Sequence, residues 1–272
     1  MNNSPKYALF VSSSDAYSDI WPMFFDHLQK FWPSLNAHIY LNTEEKSYTH
    51  SGLSVTCTQV GKHKHFGETF LAGLNQVEED TVLLIMIDYL LMGAVDTARV
   101  EQALRLFQEQ DFDTVCLWGQ PFSHWHPIAG TEYAVPQKPY PGSVLFGFQA
   151  AFWKKSVLHE MVLPHENPWM AEWYGSMRAE RMAIRYACLA RGTQSPLPYD
   201  VRGCLHQGRW LDNAVAFLQE EGYEGIDFTK RGIYDDATGY NSLRCRISTK
   251  WTIWKTGLCG SWQDLRKRKP IH

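Results

Sequence analysis

Thr81-Val-Leu-Leu-Ile-Met-Ile-Asp-Tyr89 is a continuous apolar run that stops on a carboxylate and a phenol, with Glu78-Glu79-Asp80 in front of it. Such a run reads as a strand buried on both faces, the kind that lies under helices in a parallel sheet. Asp88 then stands at the carboxyl end, the edge at which open α/β sheets hold their ligands. An Asp that follows a strand also often caps the next turn, so position alone leaves Asp88 with two readings.

Working outward, strand and helix signals alternate. Tyr7-Ala-Leu-Phe-Val11 reads as a strand and Ser12-Ser-Ser-Asp-Ala-Tyr-Ser-Asp19 as a polar loop, after which Trp21, Phe24, Phe25, Leu28 and Phe31 recur at helical spacing up to Pro33. His38-Ile-Tyr-Leu41 and Val55-Thr-Cys-Thr-Gln59 suit short strands, and Phe70, Leu71, Leu74 and Val77 give a helix its apolar face before the Asp88 strand. Asp96 is placed to cap a helix that buries Val100, Leu104 and Phe107, with Thr114-Val-Cys-Leu-Trp118 as the next strand. Residues 119 to 142 hold five prolines and suit a loop or short hairpin over the site. Val144-Leu-Phe-Gly-Phe148 is then expected as a strand, Gln149 to Leu158 as a helix, and Glu166 to Ser176 as an aromatic, acidic turn leading into a helix through Cys188. The βαβ series predicts a mostly parallel central sheet with helices on both faces. One domain over residues 1–243 and a C-terminal appendage over 244–272 are expected.

At 272 residues, 44% hydrophobic and 14% aromatic, the chain has the material for one large α/β domain. No apolar run approaches the roughly 18 residues of a spanning helix, and the expectation is a cytoplasmic protein. Six cysteines without any C-x-x-C spacing fit reduced thiols and argue against a zinc site. The net charge of -3 is unevenly spread: from Arg244 onward eight basic residues face the single acid Asp264, so this tail carries +7 and the remainder -10. With Trp251, Trp254 and Trp262 interleaved, the tail suits peripheral contact with the anionic inner face of a membrane, or a solvated helix whose tryptophans pack on the domain. The acidic body disfavours nucleic acid.

Several segments together resemble a bacterial nucleotide-sugar glycosyltransferase of the GT-A type: Ser12 to Trp21, Tyr40-Leu-Asn-Thr43, Ile87-Asp88-Tyr89, Gln149-Ala-Ala-Phe-Trp153, Asn167-Pro-Trp-Met-Ala-Glu-Trp-Tyr-Gly-Ser176 and Gly208-Arg-Trp210. The resemblance spans roughly residues 7 to 211 and implies a GT-A-like (Rossmann-like) fold, a nucleotide-sugar donor, and a glycan or glycolipid acceptor met during surface polysaccharide, lipopolysaccharide or capsule assembly. In that class an acidic motif after the strand holds a divalent metal, Mn²⁺ or Mg²⁺, on the donor diphosphate. Here Ile87 stands where a first acid is common, so Asp88 is the metal-ligand candidate, beside Tyr89 at the donor.

The same resemblance sets the Ser12 to Asp19 loop against the nucleotide, with Ser12, Asp15 and Asp19 as donor contacts; Ser18 or Asp19 also suits helix capping. Breaking a sugar-diphosphate bond builds negative charge on the leaving group, which a hard cation, or Lys and Arg, neutralises. An inverting enzyme also needs a carboxylate that takes the acceptor proton. Glu172 is that candidate, where the resemblance assigns an acid near the acceptor, although a Glu in a helix first turn is also favoured by the helix dipole. Trp169, Trp173 and Tyr174 offer a stacking platform for a sugar ring or, equally, core packing. His206 is the candidate second metal ligand. Lys62 to His65 suit diphosphate contact or an exposed loop, and His124 and His126 a mobile acceptor loop.

Other classes lack their signatures. No Gly-x-Gly-x-x-Gly follows the first strand, and no Gly-x-x-x-x-Gly-Lys-[Ser/Thr] or Gly-x-Ser-x-Gly occurs. A non-catalytic carbohydrate- or nucleotide-sugar-binding protein of the same fold stays open as the alternative.

Overall fold

A computed structural model describes residues 7–119, 125–136 and 144–235. The first half alternates as its patterning demands: β1 (Ala8–Ser12), α1 (Trp21–Phe31), β2 (His38–Leu41), β3 (Val55–Cys57), α2 (Phe66–Leu74), β4 (Thr81–Met86), α3 (Thr97–Glu109) and β5 (Thr114–Gly119). Next come β6 (Trp125–Pro127) and β7 (Tyr133–Pro136), which pair as an antiparallel hairpin. β8 (Ala151–Lys154), α4 (Lys155–Met161), α5 (Pro168–Met182), β9 (Tyr186–Leu189), the small hairpin β10 (Leu205–His206) and β11 (Arg209–Trp210), and α6 (Asp212–Glu220) complete the set. The carboxylate of Asp96 caps α3, accepting from the Arg99 N–H at 3.2 Å.

Among the described residues, nine strands form one sheet in the order β3-β2-β1-β4-β8-β5-β9-β7-β6. Only β7 and β8 run against the other seven, so the α/β class with a mostly parallel sheet is as expected. Alternation along each strand feeds two cores. Leu9, Val11, Leu83 and Ile85 pack with Trp21 and Phe25 of α1, Val100 and Phe107 of α3, and Leu218 of α6. On the other face Phe10, Val82 and Leu84 meet Phe70 of α2, Leu158 of α4 and Ala171 and Ala179 of α5. Each face of the sheet is therefore closed by helices, which is why β4 reads as an unbroken apolar run.

Three assignments made from sequence are corrected. Val144 to Phe148 is not a strand, and Gln149 to Trp153 is not helical. Ala151, Phe152 and Trp153 form β8, inserted antiparallel between β4 and β5. Phe152 faces one core and Trp153 the other, a period of two that no helix allows. The amides of the preceding segment go to α5 instead of a strand: Phe146 N–H donates to Ser176 Oγ at 3.1 Å and Phe148 N–H to Glu172 Oε1 at 3.1 Å. Nor does α5 reach Cys188. It starts at Pro168 behind Asn167, whose side chain caps Met170 N–H, and ends where Ala183 turns left-handed at φ 51°. Tyr186 to Leu189 are all buried and pair with β5 as β9. Trp169, Glu172, Trp173 and Tyr174 therefore lie on a helix and not in a turn.

The consequence for function is positional. β8 enters antiparallel, so the 144–150 segment meets the carboxyl ends of β4 and β5, the edge where Asp88 stands.

Candidate active site

β1 and β4 lie side by side with Ser12 opposite Met86, and the carbonyl of Ser12 still accepts from Ile87 N–H at 3.0 Å. A turn closed by Tyr89 N–H to the Met86 carbonyl, also 3.0 Å, then lifts Asp88 off the ladder. The Asp88 carbonyl accepts from Cys204 N–H at 2.6 Å, which brings the chain back against it at Gly203. Gly203 has φ +79°, and a Cβ there would sit 3.0 Å from Asp88 Oδ2 and 3.1 Å from the Asp88 carbonyl oxygen. Both the backbone sign and the missing space require glycine at this position.

Asp88 as a residue keeps some exposure, but its Oδ1 has neither solvent nor a hydrogen-bond partner. Burial pushes its carboxyl up to about 7, against the weaker opposing pull of its own backbone N–H. The Ser12 hydroxyl is buried and unpartnered in the same way. These two unpaired oxygens stand at the carboxyl ends of the neighbouring strands β1 and β4.

Glu172 projects from the packed side of α5 to the same edge. One carboxylate oxygen accepts from Phe148 N–H and lies 3.5 Å from where a Cβ on Gly147 would be. Burial raises its carboxyl above the ordinary range, with the Phe148 N–H pulling the other way. Tyr89 follows Asp88 in the chain. Burial first, then the charges of Tyr199, Asp88 and Glu172, hold its hydroxyl firmly protonated, so both carboxylates are within electrostatic reach of this one ring. Tyr89 stacks on Tyr199 with centroids 4.6 Å apart. Its hydroxyl accepts from Gln149 Nε2 at 2.9 Å, Gln149 Oε1 accepts from Tyr199 Oη at 3.0 Å, and Tyr199 Oη accepts from Ala150 N–H at 3.0 Å. This network ties Tyr89, next to Asp88 in the chain, to the 149–150 segment that follows the Phe148 amide held by Glu172.

The first loop holds its own residues differently. The carboxylate of Asp15 accepts backbone N–H groups of Glu44, Glu45 and Lys46 at 2.9, 2.9 and 3.0 Å, which tie β1 to β2. Burial tends to raise its pKa, but those three amides and the Lys46 charge hold it below the usual range. Asp19 is clamped by Arg231, whose Nε donates at 2.7 Å and whose guanidinium also reaches the Ala16 carbonyl and the Tyr17 ring. Neither Ser18 nor Asp19 caps α1: the Ser18 hydroxyl takes Lys46 Nζ at 2.6 Å. Tyr17 completes the neighbourhood, its hydroxyl pushed upward by burial and then by the charge of Asp88.

The remaining candidates have the following surroundings. His206 packs edge-on against Tyr234 at 4.5 Å, and among the described residues no group of three His, Cys, Asp or Glu side chains is arranged to hold a metal. Trp169 and Trp173, 66% and 60% exposed, lie on the outer face of α5, with Tyr174 half-buried. His65 and Glu68 form a capping box on α2, and Lys62 pairs with Glu45. His126 is exposed on β6; His124 and the 244–272 tail lie outside the described residues. Sequence reasoning missed Tyr17, Tyr199, Gly203 and Arg231. Only Gly203 carried a local signal, as the turn glycine of Asp200-Val-Arg-Gly203.

No protein-family model matches the chain, and no curated protein matches it. Solved structures do resemble it in fold. TarS from S. aureus is 14% identical over 69% of this chain, with a TM-score of 0.46; the match spans 36% of that protein, about a third of its length. A 2-C-methyl-D-erythritol 4-phosphate cytidylyltransferase from Thermus thermophilus is 10% identical over 79% of this chain and 98% of its own, with a TM-score of 0.47. The Drosophila β1,4-galactosyltransferase 7 catalytic domain bound to xylobiose is 11% identical over 72% and 69%, at 0.41. The neighbours thus include both glycosyltransferases and nucleotidyltransferases. None of the described helices is long and apolar enough to cross a membrane.

Proposed function

We propose that the chain is a glycosyltransferase that moves a sugar from a nucleotide-sugar donor to a hydroxyl of a glycan or glycolipid. The observation that carries the reading is that two carboxylates raised by burial, Asp88 after β4 and Glu172 held by the Phe148 N–H, meet the same carboxyl edge of the sheet. Two titratable groups tuned by burial at one edge are what acid-base and charge-stabilising chemistry needs.

The donor diphosphate lies over the ends of β1 and β4 in this reading, with the buried Ser12 hydroxyl and Asp88 facing it. Asp88 Oδ1 is a free, hard oxygen that suits Mn²⁺ or Mg²⁺, ions that are commonly held by one or two carboxylates and completed by substrate phosphates and water. Such an ion, when bound, supplies positive charge to the departing diphosphate. Asp15 and Asp19 serve the donor by shaping the loop, since their carboxylates already bind amides and Arg231. Glu172 takes the proton from the attacking acceptor hydroxyl. Its raised pKa leaves it a stronger base than an exposed Glu once ionised, and the Phe148 N–H fixes its orientation. The exposed rings of Trp169 and Trp173 are offered to the outer part of a glycan, and His206 remains a proposed outer partner of the ion. The basic tail of residues 244–272 meets anionic lipid at the membrane face where a glycolipid acceptor resides.

A glycan- or nucleotide-sugar-binding protein without turnover is the second reading, favoured by Ile87 in place of a first acid. Incubating the protein with a panel of nucleotide sugars and Mn²⁺ and analysing products by mass spectrometry separates the two. Release of nucleoside diphosphate that Glu172→Gln and Asp88→Ala both suppress supports transfer; binding without release in every case supports the second reading.

A further inference from the structure

Beside the Asp88 edge, over the end of β5, lies a cavity of about 660 Å³ that no candidate residue named from sequence occupies. This volume is within the usual range for small-molecule sites. It is lined by the rings of Trp118, near the end of β5, and Tyr199, which are 5.5 Å apart at 36°. Its polar lining residues include Thr193, Ser195, Asp200 and Asn213.

The polar groups are set in place before any ligand arrives. Asp200 Oδ1 accepts from Arg202 N–H at 2.8 Å, and its other oxygen is held by the Arg202 guanidinium and the Asn213 amide. Burial tends to raise the Asp200 pKa, but Arg202 and Asn213 more than offset it and keep the group ionised. The loop is anchored from outside: Arg99, paired with Glu132, donates to the Gln194 carbonyl at 2.6 Å. Rigid linings of this kind cost little ordering on binding.

We infer that this cavity binds a saccharide unit of the acceptor, its apolar ring face on Trp118 and its hydroxyls on Asp200, Asn213 and Thr193. A lining that combines aromatic rings with a carboxylate, an amide and hydroxyls matches the two chemistries of a sugar ring, apolar C–H on one side and a fan of hydroxyls at the edge. The assignment to acceptor and not donor follows from position. The unpaired Ser12 and Asp88 oxygens are at the β1–β4 ends, whereas the cavity is at β5, divided from them by the Tyr89–Tyr199 stack. Tyr199 also links the cavity to Ala150 and Gln149, two residues and one residue from the Phe148 amide that holds Glu172. The inference rests on the transferase reading for the word acceptor, but not for the binding itself.

The test is saturation-transfer difference NMR on the full chain with lactose, maltose, cellobiose and chitobiose, beside calorimetric titration with nucleoside diphosphates. At least one disaccharide is expected to receive saturation at its ring C–H protons. Asn213→Ala should weaken it about tenfold and Thr193→Trp, which fills the cavity, should abolish it, with diphosphate binding and donor hydrolysis unchanged in both variants. No transfer to any of the four sugars, or transfer that survives Thr193→Trp, overturns the inference. A raised KM for donor hydrolysis in Thr193→Trp also overturns it by assigning the cavity to the donor sugar. Absence of turnover in the wild type with intact disaccharide binding defeats the transferase reading alone and leaves a saccharide site.

Discussion

Replacing Asp88 by Asn should make the protein more stable at neutral and alkaline pH and not at acid pH. Burial moves the carboxyl from an ordinary 3.8 to about 7. Every tenfold change in proton affinity is worth about 1.36 kcal/mol between the two protonation states, so the upper bound on the penalty for ionising Asp88 in the folded chain is about 4 kcal/mol. Partial exposure of the residue brings the working figure to about 2–4 kcal/mol. The sign follows from linkage. Below about pH 4 the group is protonated in folded and unfolded chains alike and has no effect. Between 4 and 7 the unfolded chain releases its proton first, so stability falls as pH rises, and above 7 the full penalty persists. Asn does not titrate, and any constant cost of its own unpaired amide is the same at every pH. The quantity to measure is therefore the variant-minus-wild-type unfolding free energy from urea titrations followed by tryptophan fluorescence between pH 4.5 and 8. It should climb by about 1.5–3 kcal/mol across that range, since about a quarter of the penalty is already present at pH 4.5. A flat difference, or one that falls with pH, would refute the reasoning, because it would mean that Asp88 is ionised at little cost or held by a cation the fold itself provides.

Gly203→Ala should lose about 1–2 kcal/mol for its left-handed backbone alone, and more from contact with Asp88, measured by the same titrations and accompanied by weaker donor binding. Tyr199→Phe leaves Ala150 N–H and Gln149 Oε1 without these partners and should cost about 1–3 kcal/mol, detectable as a lower melting temperature. Glu172→Gln should lower kcat for transfer by about 10²–10⁴ with the donor Kd unchanged, and in the wild type kcat should rise with pH as Glu172 ionises, a limb that the variant lacks. Cation-dependent donor binding should strengthen as pH rises through about 7, where Asp88 loses its proton, and calorimetry at pH 6 and 8 reads this directly.

What could be read from the sequence was local. The run from Thr81 is a buried strand because it has helices above and below, and the same logic made β1, β5, α1 and α3 legible. The turn at Asp88 followed from where the apolar run stops. β8 was misread because Phe152 and Trp153 owe their strand to β4 and β5, some forty to seventy residues earlier, and nothing local announces that pairing. The helix assigned through Cys188 failed for a similar reason, since pairing with β5 makes Tyr186 to Leu189 a strand. Glu172 was proposed from resemblance, and its contact with Phe148 and the Tyr89-Gln149-Tyr199 frame depend on distant segments meeting at one edge. Arg231 pairs with Asp19 across the whole domain, and no spacing rule reaches that far.

The central claim is that Asp88 and its edge hold the diphosphate of a nucleotide sugar. Titrating UDP, GDP, ADP, CDP and dTDP into wild type and Asp88→Ala at pH 8, with and without Mn²⁺, tests it most directly. The account predicts that one nucleotide binds the wild type, more tightly with Mn²⁺, and that Asp88→Ala removes the cation's effect. Binding that ignores both Mn²⁺ and Asp88, or no binding by any of the five, would contradict it.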